Sequence, residues 1–375
     1  MGGVAITGVG VVTPLGDTPD EVLRRIKAGE TAARRPTGFD PAPFSCPSCA
    51  EIPDFRPERH VPEPKAVRLM SRDTLLAVAA AGLAIRDAGV TVGETYPGEG
   101  VALYGATGMA GLPLAEVAPL VTHAASDGRF DPQRFGAVTL KRVRPVLSFK
   151  ILSNMPICFV SIFAGLQGPN AVYNPWEGQG AHAIIAGARA VARGRAACAL
   201  VGGCDVKTHE LAFVALEQHG VFRPWREQGA GAVPGEGAAF LVLEDEQRAR
   251  ARGAPLYARL ADWRTATAPS GHSPAATYEN VMAPLASPAP GVLISAADGE
   301  SARAEAEAQA LAACGVRPAT RIAPKRHVGD LFAAAAALQV TLAAAIARSS
   351  PAGARVLANA LGFGSEQAAF LLEAV

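Results

Sequence analysis

The opening stretch "VAITGVGVVTPLG" is an apolar, β-branched run closed by Gly and Pro, a pattern that predicts a buried strand and turn. Asp17 to Ala28 opens with capping residues and continues with helical spacing. Residues 30–66 are rich in Pro and read as a long irregular segment. Ser71–Val90 is a capped apolar helix, and "GVALYGATGMAGL" a strand entering a Gly-rich turn. Short helices and loops fill 114–150, before "SNMPICFVSIFAGLQGPNAV" supplies a helix and a strand. A long Ala-rich helix follows, then the strand "AACALVGGCD" and a helical stretch near His209–His219. "GAVPGEGAAFLVLEDEQRARARGAP" adds a glycine turn, a buried strand and a charged helix.

A second round of strands and helices begins at "LYARLADW". "GVLISAADGE" reads as strand and turn, "SARAEAEAQALAAC" as a helix, and Asp330–Ser349 as one Ala-rich buried helix. "ARVLANALGFGSEQAAFLLEAV" closes with two strands around Gly362, Phe363 and Gly364. Alternation of strands with buried helices means an α/β architecture. The similar order of the two rounds suggests duplication, with halves at 1–250 and 251–375 and no short solenoid repeat.

Composition narrows the picture. The 375 residues are 49% hydrophobic but only 6% aromatic, so the core is built from Ala, Val and Leu. A net charge of +1 gives no electrostatic footprint for nucleic acid or an anionic membrane. No apolar run reaches the ~20 residues of a membrane span. The N-terminal sequence lacks the basic segment and cleavage site of a signal peptide, so a cytoplasmic protein is expected. Six cysteines lie scattered. Cys46 and Cys49 have the C-x-x-C spacing without a second close ligand pair, which favours a loop with two free thiols over a metal site.

The candidate chemistry centres on Gly168 to Val191, "GPNAVYNPWEGQGAHAIIAGARAV". A strand, a tight turn and a helix of this kind often present a nucleophile. The turn holds no Ser, Thr or Cys, and Glu177 stands where the nucleophile would be.

The order of these motifs resembles the thiolase superfamily, and within it the β-ketoacyl-acyl-carrier-protein synthases. The elbow segment, "RPWREQGAGAVPGEGAAFLVLEDEQRARARGAPLYARL", "EAEAQAL", "PKRHVGDLFAAAAALQ" and "NALGFGSEQAAFLL" occur in the family's order. The resemblance implies a thiolase-like five-layered fold, two duplicated halves with mixed sheets around buried helices, and a dimer. Working members use a Cys at the N-terminus of the buried helix, where the helix dipole favours a thiolate. Two His residues polarise the malonyl-carrier carbonyl groups.

Carried over residue by residue, the nucleophile position falls on Glu177. The first His falls on Ala296 or Ala297, depending on one gap, and the second on Asp330. Lys325 and Gly329 remain in register, and His327 lies three residues early. With all three catalytic positions changed, no condensing activity is expected from this chain alone. It looks most like a chain-length factor, the ketosynthase-like β subunit of type II polyketide synthases. Such a subunit pairs with an active ketosynthase and shapes its acyl tunnel.

On that resemblance "GLQGPNAVYNPW" should lie against a partner strand, with Tyr173 and Trp176 at the interface. Met109, Leu112 and Glu116 are the tunnel candidates, with ordinary core packing as the other reading. No cofactor is expected beyond a phosphopantetheine-bound acyl chain that reaches the partner ketosynthase. An acyl carrier protein is the second expected partner. Lys141, Arg142 and Arg144, and Arg193 with Arg195, are either its docking surface or a solvated face. Competing readings are a non-catalytic carrier-docking scaffold, a decarboxylating chain-initiating synthase, a homodimer with another ligand, and an enzyme using Glu177 as general base with Asp330 or His327.

Overall fold

The first apolar run forms β1 (Val4–Val12), buried along its whole length. In the computed structural model, residues 3–109, 111–174, 176–269, 274–298, 302–362 and 364–375 are described. Helix α1 (Pro19–Lys27) is started by Thr18, whose hydroxyl accepts from Glu21 N at 3.3 Å. Helix α2 (Arg72–Asp87) lies directly on β1. The glycines of "TGVG" permit this, because a Cβ on Gly10 would sit 2.1 Å from the Ala80 carbonyl oxygen. Then come β2 (Val101–Thr107), α3 (Leu114–Thr122), α4 (Val146–Ile151), α5 (Met155–Ala164) and β3 (Asn170–Tyr173). A two-stranded hairpin at 125–130 interrupts the helical stretch between α3 and α4. The elbow helix is α6 (Glu177–Ala192), followed by β4 (Cys198–Val206), α7 (Glu210–Gln218) and β5 (Glu236–Asp245).

The second half contains β6 (Ala258–Thr267), α8 (Pro274–Met282), β7 (Val292–Ile294), α9 (Ala302–Ala313), β8 (Thr320–Ile322), α10 (Ala335–Arg348), β9 (Arg355–Ala360) and β10 (Glu366–Glu373). Strand order is β3-β2-β4-β5-β1 in the first half and β8-β7-β9-β10-β6 in the second. Numbered within its own half, each reads 3-2-4-5-1. In both, the fifth strand alone runs antiparallel to its neighbours. This repetition is the duplication that the order of motifs suggested.

Helices α6 and α10 pack between the two sheets, and one hydrophobic cluster joins their residues to both. Helices α2 and α5 cover the outer face of the first sheet, and α8 and α9 that of the second. The layering is therefore helix, sheet, helix, sheet, helix. Helix α10 is buried on nearly all sides, as a central helix must be. Its Ala-rich sequence combines high helix propensity with little bulk.

Two details differ from the sequence reading. The two expected sheets are joined, because β1 and β6 pair antiparallel at Ala5↔Arg259 and Ile6↔Ala258. The helix expected from Asp330 starts later. Asp330 Oδ1 accepts from Phe332 N at 2.9 Å, and Phe332 takes a left-handed φ of 44° at the head of a 3-10 turn before α10. That conformation is strained for an aromatic residue. It is the second half's counterpart of the elbow before α6.

Candidate functional site

Glu177 is the first residue of α6, with extended Trp176 before it. Lys325 opens the short helical turn Lys325–Val328 beyond β8. Asp330 follows Gly329, whose φ of 78° reverses the chain. The fold brings these three side chains together between the sheets. Lys325 Nζ lies 2.8 Å from Glu177 Oε1, 2.9 Å from Asp330 Oδ2 and 3.4 Å from the Leu361 carbonyl oxygen. Glu177, Lys325 and Asp330 are 3%, 5% and 1% exposed, so this is a buried ionic cluster.

Its electrostatics follow from burial and neighbours. Burial alone would raise the Glu177 pKa, but Lys325, then Arg303, outweigh it and hold the carboxyl below its ordinary range. Asp330 is pushed up, first by burial and then by the Glu177 charge beside it. The Lys325 ammonium stays protonated despite burial, because Asp330 and Glu177 flank it. Glu177 is therefore the last of the two to take up a proton as pH falls, and Asp330 the first. Glu177 also meets the last glycine turn, where a Cβ on Gly362 would lie 2.2 Å from its Oε2. The turn's Phe363, and Pro175 before the elbow, lie outside the described residues.

This arrangement has limited chemistry. A carboxylate held below its normal pKa is a weak base at neutral pH. The lysine that would polarise a substrate is already bonded to two carboxylates. Ala297, 8% exposed, offers no proton at the first histidine slot; its N–H donates to Ser295 Oγ at 3.1 Å. Ala296 N donates to Glu307 Oε1 at 3.0 Å. His327 is engaged away from the cluster, with its Nδ1–H donating to the Glu30 carbonyl oxygen at 2.7 Å. Ala297 and His327 line a cavity of about 390 Å³.

Sequence reasoning missed Arg303, half-buried and paired with Asp298, and felt electrostatically by both site carboxylates. It also missed Asp205 and Lys207, a buried ion pair at the end of β4. Asp205 Oδ2 accepts from Ala333 N at 3.2 Å, tying β4 to the start of α10, and the Lys207 ammonium sits 5.4 Å from the Phe332 ring centroid. The signal was present in "LVGGCDVK", where two charges end an otherwise apolar run.

The interface and tunnel candidates separate. Leu112 is 3% exposed and, with Glu116, lines a cavity of about 800 Å³. Met109 is 39% exposed and does not line that cavity. Glu116 pairs with Lys150 at 3.0 Å. Tyr173 lies on β3 and stacks on His182, with 6.3 Å between ring centroids. Trp176 packs against Phe332 and His219. Among the described residues strand β3 has one neighbour and ends the sheet. Cys46 and Cys49 are buried free thiols, and burial pushes the Cys46 thiol up to about 12. Among the described residues no helix is long and apolar enough to cross a membrane.

Two halves of the same strand order around a shared helix layer, with a glycine-flanked elbow at the head of a central helix, define a thiolase-like ketosynthase fold. The β-ketoacyl synthase N-terminal domain profile matches residues 1–249, and the chain belongs to that family. It is 29% identical over 361 residues to the tetracenomycin polyketide synthase ketoacyl synthase beta subunit of Streptomyces glaucescens, covering 91% of this chain and 84% of that protein. It is 30% identical over 272 residues to 3-oxoacyl-[acyl-carrier-protein] synthase 2 of Coxiella burnetii, a match spanning 68% of this chain and 61% of that enzyme. The solved ishigamide ketosynthase/chain length factor has the same fold. It gives a TM-score of 0.79 at 22% identity over all of this chain and 99% of that one.

Proposed function

We propose that the chain is a non-condensing, ketosynthase-like subunit of the chain-length-factor type. It pairs with an active ketosynthase and shapes that partner's acyl tunnel in type II polyketide or polyene biosynthesis. The observation that carries this reading is the Glu177–Lys325–Asp330 cluster, which fills the nucleophile's platform with a self-satisfied ionic set. A carboxylate is a poor holder of an acyl group, because a mixed anhydride is far more labile than a thioester. The low pKa of Glu177 also counts against the general-base alternative.

The pairing surface is argued from the edge of the sheet. Strand β3 presents an unpaired side, with Val172 37% exposed. Exposed strand edges invite another chain. Apolar side chains stand exposed on the neighbouring helical stretch, among them Leu140, Phe149, Leu152 and Ile162. Clustered exposure of this kind marks interaction surfaces. Glu116, Leu112 and Met109 follow β2, the strand beside β3, and are the side chains assigned to the tunnel.

Coexpression with an active ketosynthase tests the proposal. The chain should copurify with it at one to one, and trimming Met109 and Leu112 to Gly should change product length. Unchanged products, or no complex, would remove the tunnel-shaping role.

A further inference from the structure

Helix α6 is buried along most of its length, and the residues it leaves outside the core are Gln179, His182, Ala186, Arg189 and Ala192, followed by exposed Arg193. Their spacing of three and four residues places them in one stripe. The stripe starts under β3, the end strand of the sheet among the described residues: Tyr173 stacks on His182, and Tyr173 feels the Arg189 charge. It ends at a groove of about 630 Å³ between α6 and β6, lined by Arg189, Arg193, Arg259, Trp263 and Arg264 among others. Two of these cations are matched, Arg259 by Glu246 at 2.7 Å and Arg264 by Asp262. Arg189 and Arg193 line the groove without an ion-pair partner among the described residues. The carboxylate at the other end of the stripe, Glu366, is already engaged: it accepts from Gln179 Nε2 and lies 3.3 Å from His182 Nε2.

Two unmatched guanidinium groups one helical turn apart, beside an unpaired strand edge, are suited to carboxylates. A second copy of this chain does not supply them. Pairing two β3 edges about a two-fold axis sets the same patch on both sides, so the α6 stripe would meet itself. Its positions outside the core carry arginine, histidine, glutamine and alanine, and no carboxylate. We propose that Arg189 and Arg193 are the ion-pairing anchors of a heterodimer, and that they take Asp or Glu side chains from a non-identical ketosynthase subunit docked along β3 and α6. The inference rests on the pairing stated under the proposed function and adds the chemistry by which the partner is chosen. An acidic facing surface is attracted, while a second copy brings more arginines and no counter-charge.

Sedimentation of the full chain mixed with an active ketosynthase, at low and at high salt, tests it. Arg189→Glu/Arg193→Glu should weaken pairing about ten-fold or more and reduce its salt dependence, whereas Arg189→Lys/Arg193→Lys should hold it within about three-fold. Both positions are exposed, so the urea midpoint of each free variant should match that of the unaltered chain. Carbodiimide treatment of the lysine variant should join the new amines to Asp or Glu of the ketosynthase. If the unaltered chain forms the complex and the charge reversal leaves affinity and salt dependence unchanged, this proposal alone is overturned. Amide bonds between two copies of this chain would also overturn it. Absence of any complex with the unaltered chain would remove the pairing and this proposal together.

Discussion

Replacing Lys325 by Met removes the one ammonium between two buried carboxylates. Nζ lies 2.8 Å from Glu177 and 2.9 Å from Asp330, and the groups are at most 5% exposed. Removing one partner of such a buried pair costs about 3–5 kcal/mol, mostly the penalty of leaving charge unpaired. That is a large share of the about 5–15 kcal/mol typical of a folded protein. The contacts that remain rank the other substitutions. Asp330→Asn keeps an acceptor for Phe332 N but turns an amide N–H2 toward the Lys325 ammonium, from which Asp330 Oδ2 accepts at 2.9 Å; with Lys325 still held by Glu177, it should cost about 1–3 kcal/mol, less than Lys325→Met. Glu177→Gln leaves Lys325 paired with Asp330, which no longer faces a second carboxylate, and should fall between the two. The pH dependence has a definite sign. In Lys325→Met both carboxyls have folded-state pKa values above their unfolded ones. The folded state then binds more protons, and stability falls as pH rises above about 4. Urea unfolding at pH 5 and pH 8 measures this, with the larger deficit expected at pH 8. An Asp330→Asn deficit as large as that of Lys325→Met, or a Lys325→Met deficit under about 1 kcal/mol, would refute the reasoning.

Gly362→Ala should destabilise by about 1–3 kcal/mol, because the new methyl collides with the Glu177 carboxylate. Combining it with Glu177→Ala should recover part of the loss, which a double-mutant cycle on urea midpoints would show. His209 caps α7, its Nδ1 accepting from Ala212 N, and burial lowers its pKa to about 4. The unfolded chain binds a proton there below about 6.5 while the folded chain stays neutral, so stability should rise with pH between those limits. His209→Asn keeps a capping oxygen and should flatten that limb by about 3 kcal/mol, read from urea unfolding across pH 4–7.

Much of the fold was legible because its central strands, such as "CALVGGCDV" and "EGAAFLVLED", are buried almost throughout and read as largely apolar runs. The three-residue strands Val292–Ile294 and Thr320–Ile322 carry less signal, and the second was missed. So was α8, which lacks strong periodicity. The late start of α10 was hidden as well, since Ala favours helix everywhere and the Phe332 turn is imposed by a side-chain bond from Asp330. At the site, the order of motifs brought out Glu177, Lys325 and Asp330. Their mutual contact spans up to 148 residues and depends on two turns meeting. Arg303 was invisible for the same reason: in sequence it is one charge in an alternating Ala, Arg and Glu helix. Met109 and Leu112 read alike as apolar residues of one turn, yet one is exposed and the other buried.

The central claim is that this chain carries no acyl group while its partner does. Intact-mass measurement of the coexpressed complex after incubation with malonyl-carrier protein and an acyl donor tests it directly. The account predicts an acyl adduct on the active ketosynthase and an unmodified mass for this chain, with no carbon dioxide released by the chain alone. An adduct on this chain, or malonyl decarboxylation by it in isolation, would contradict the account.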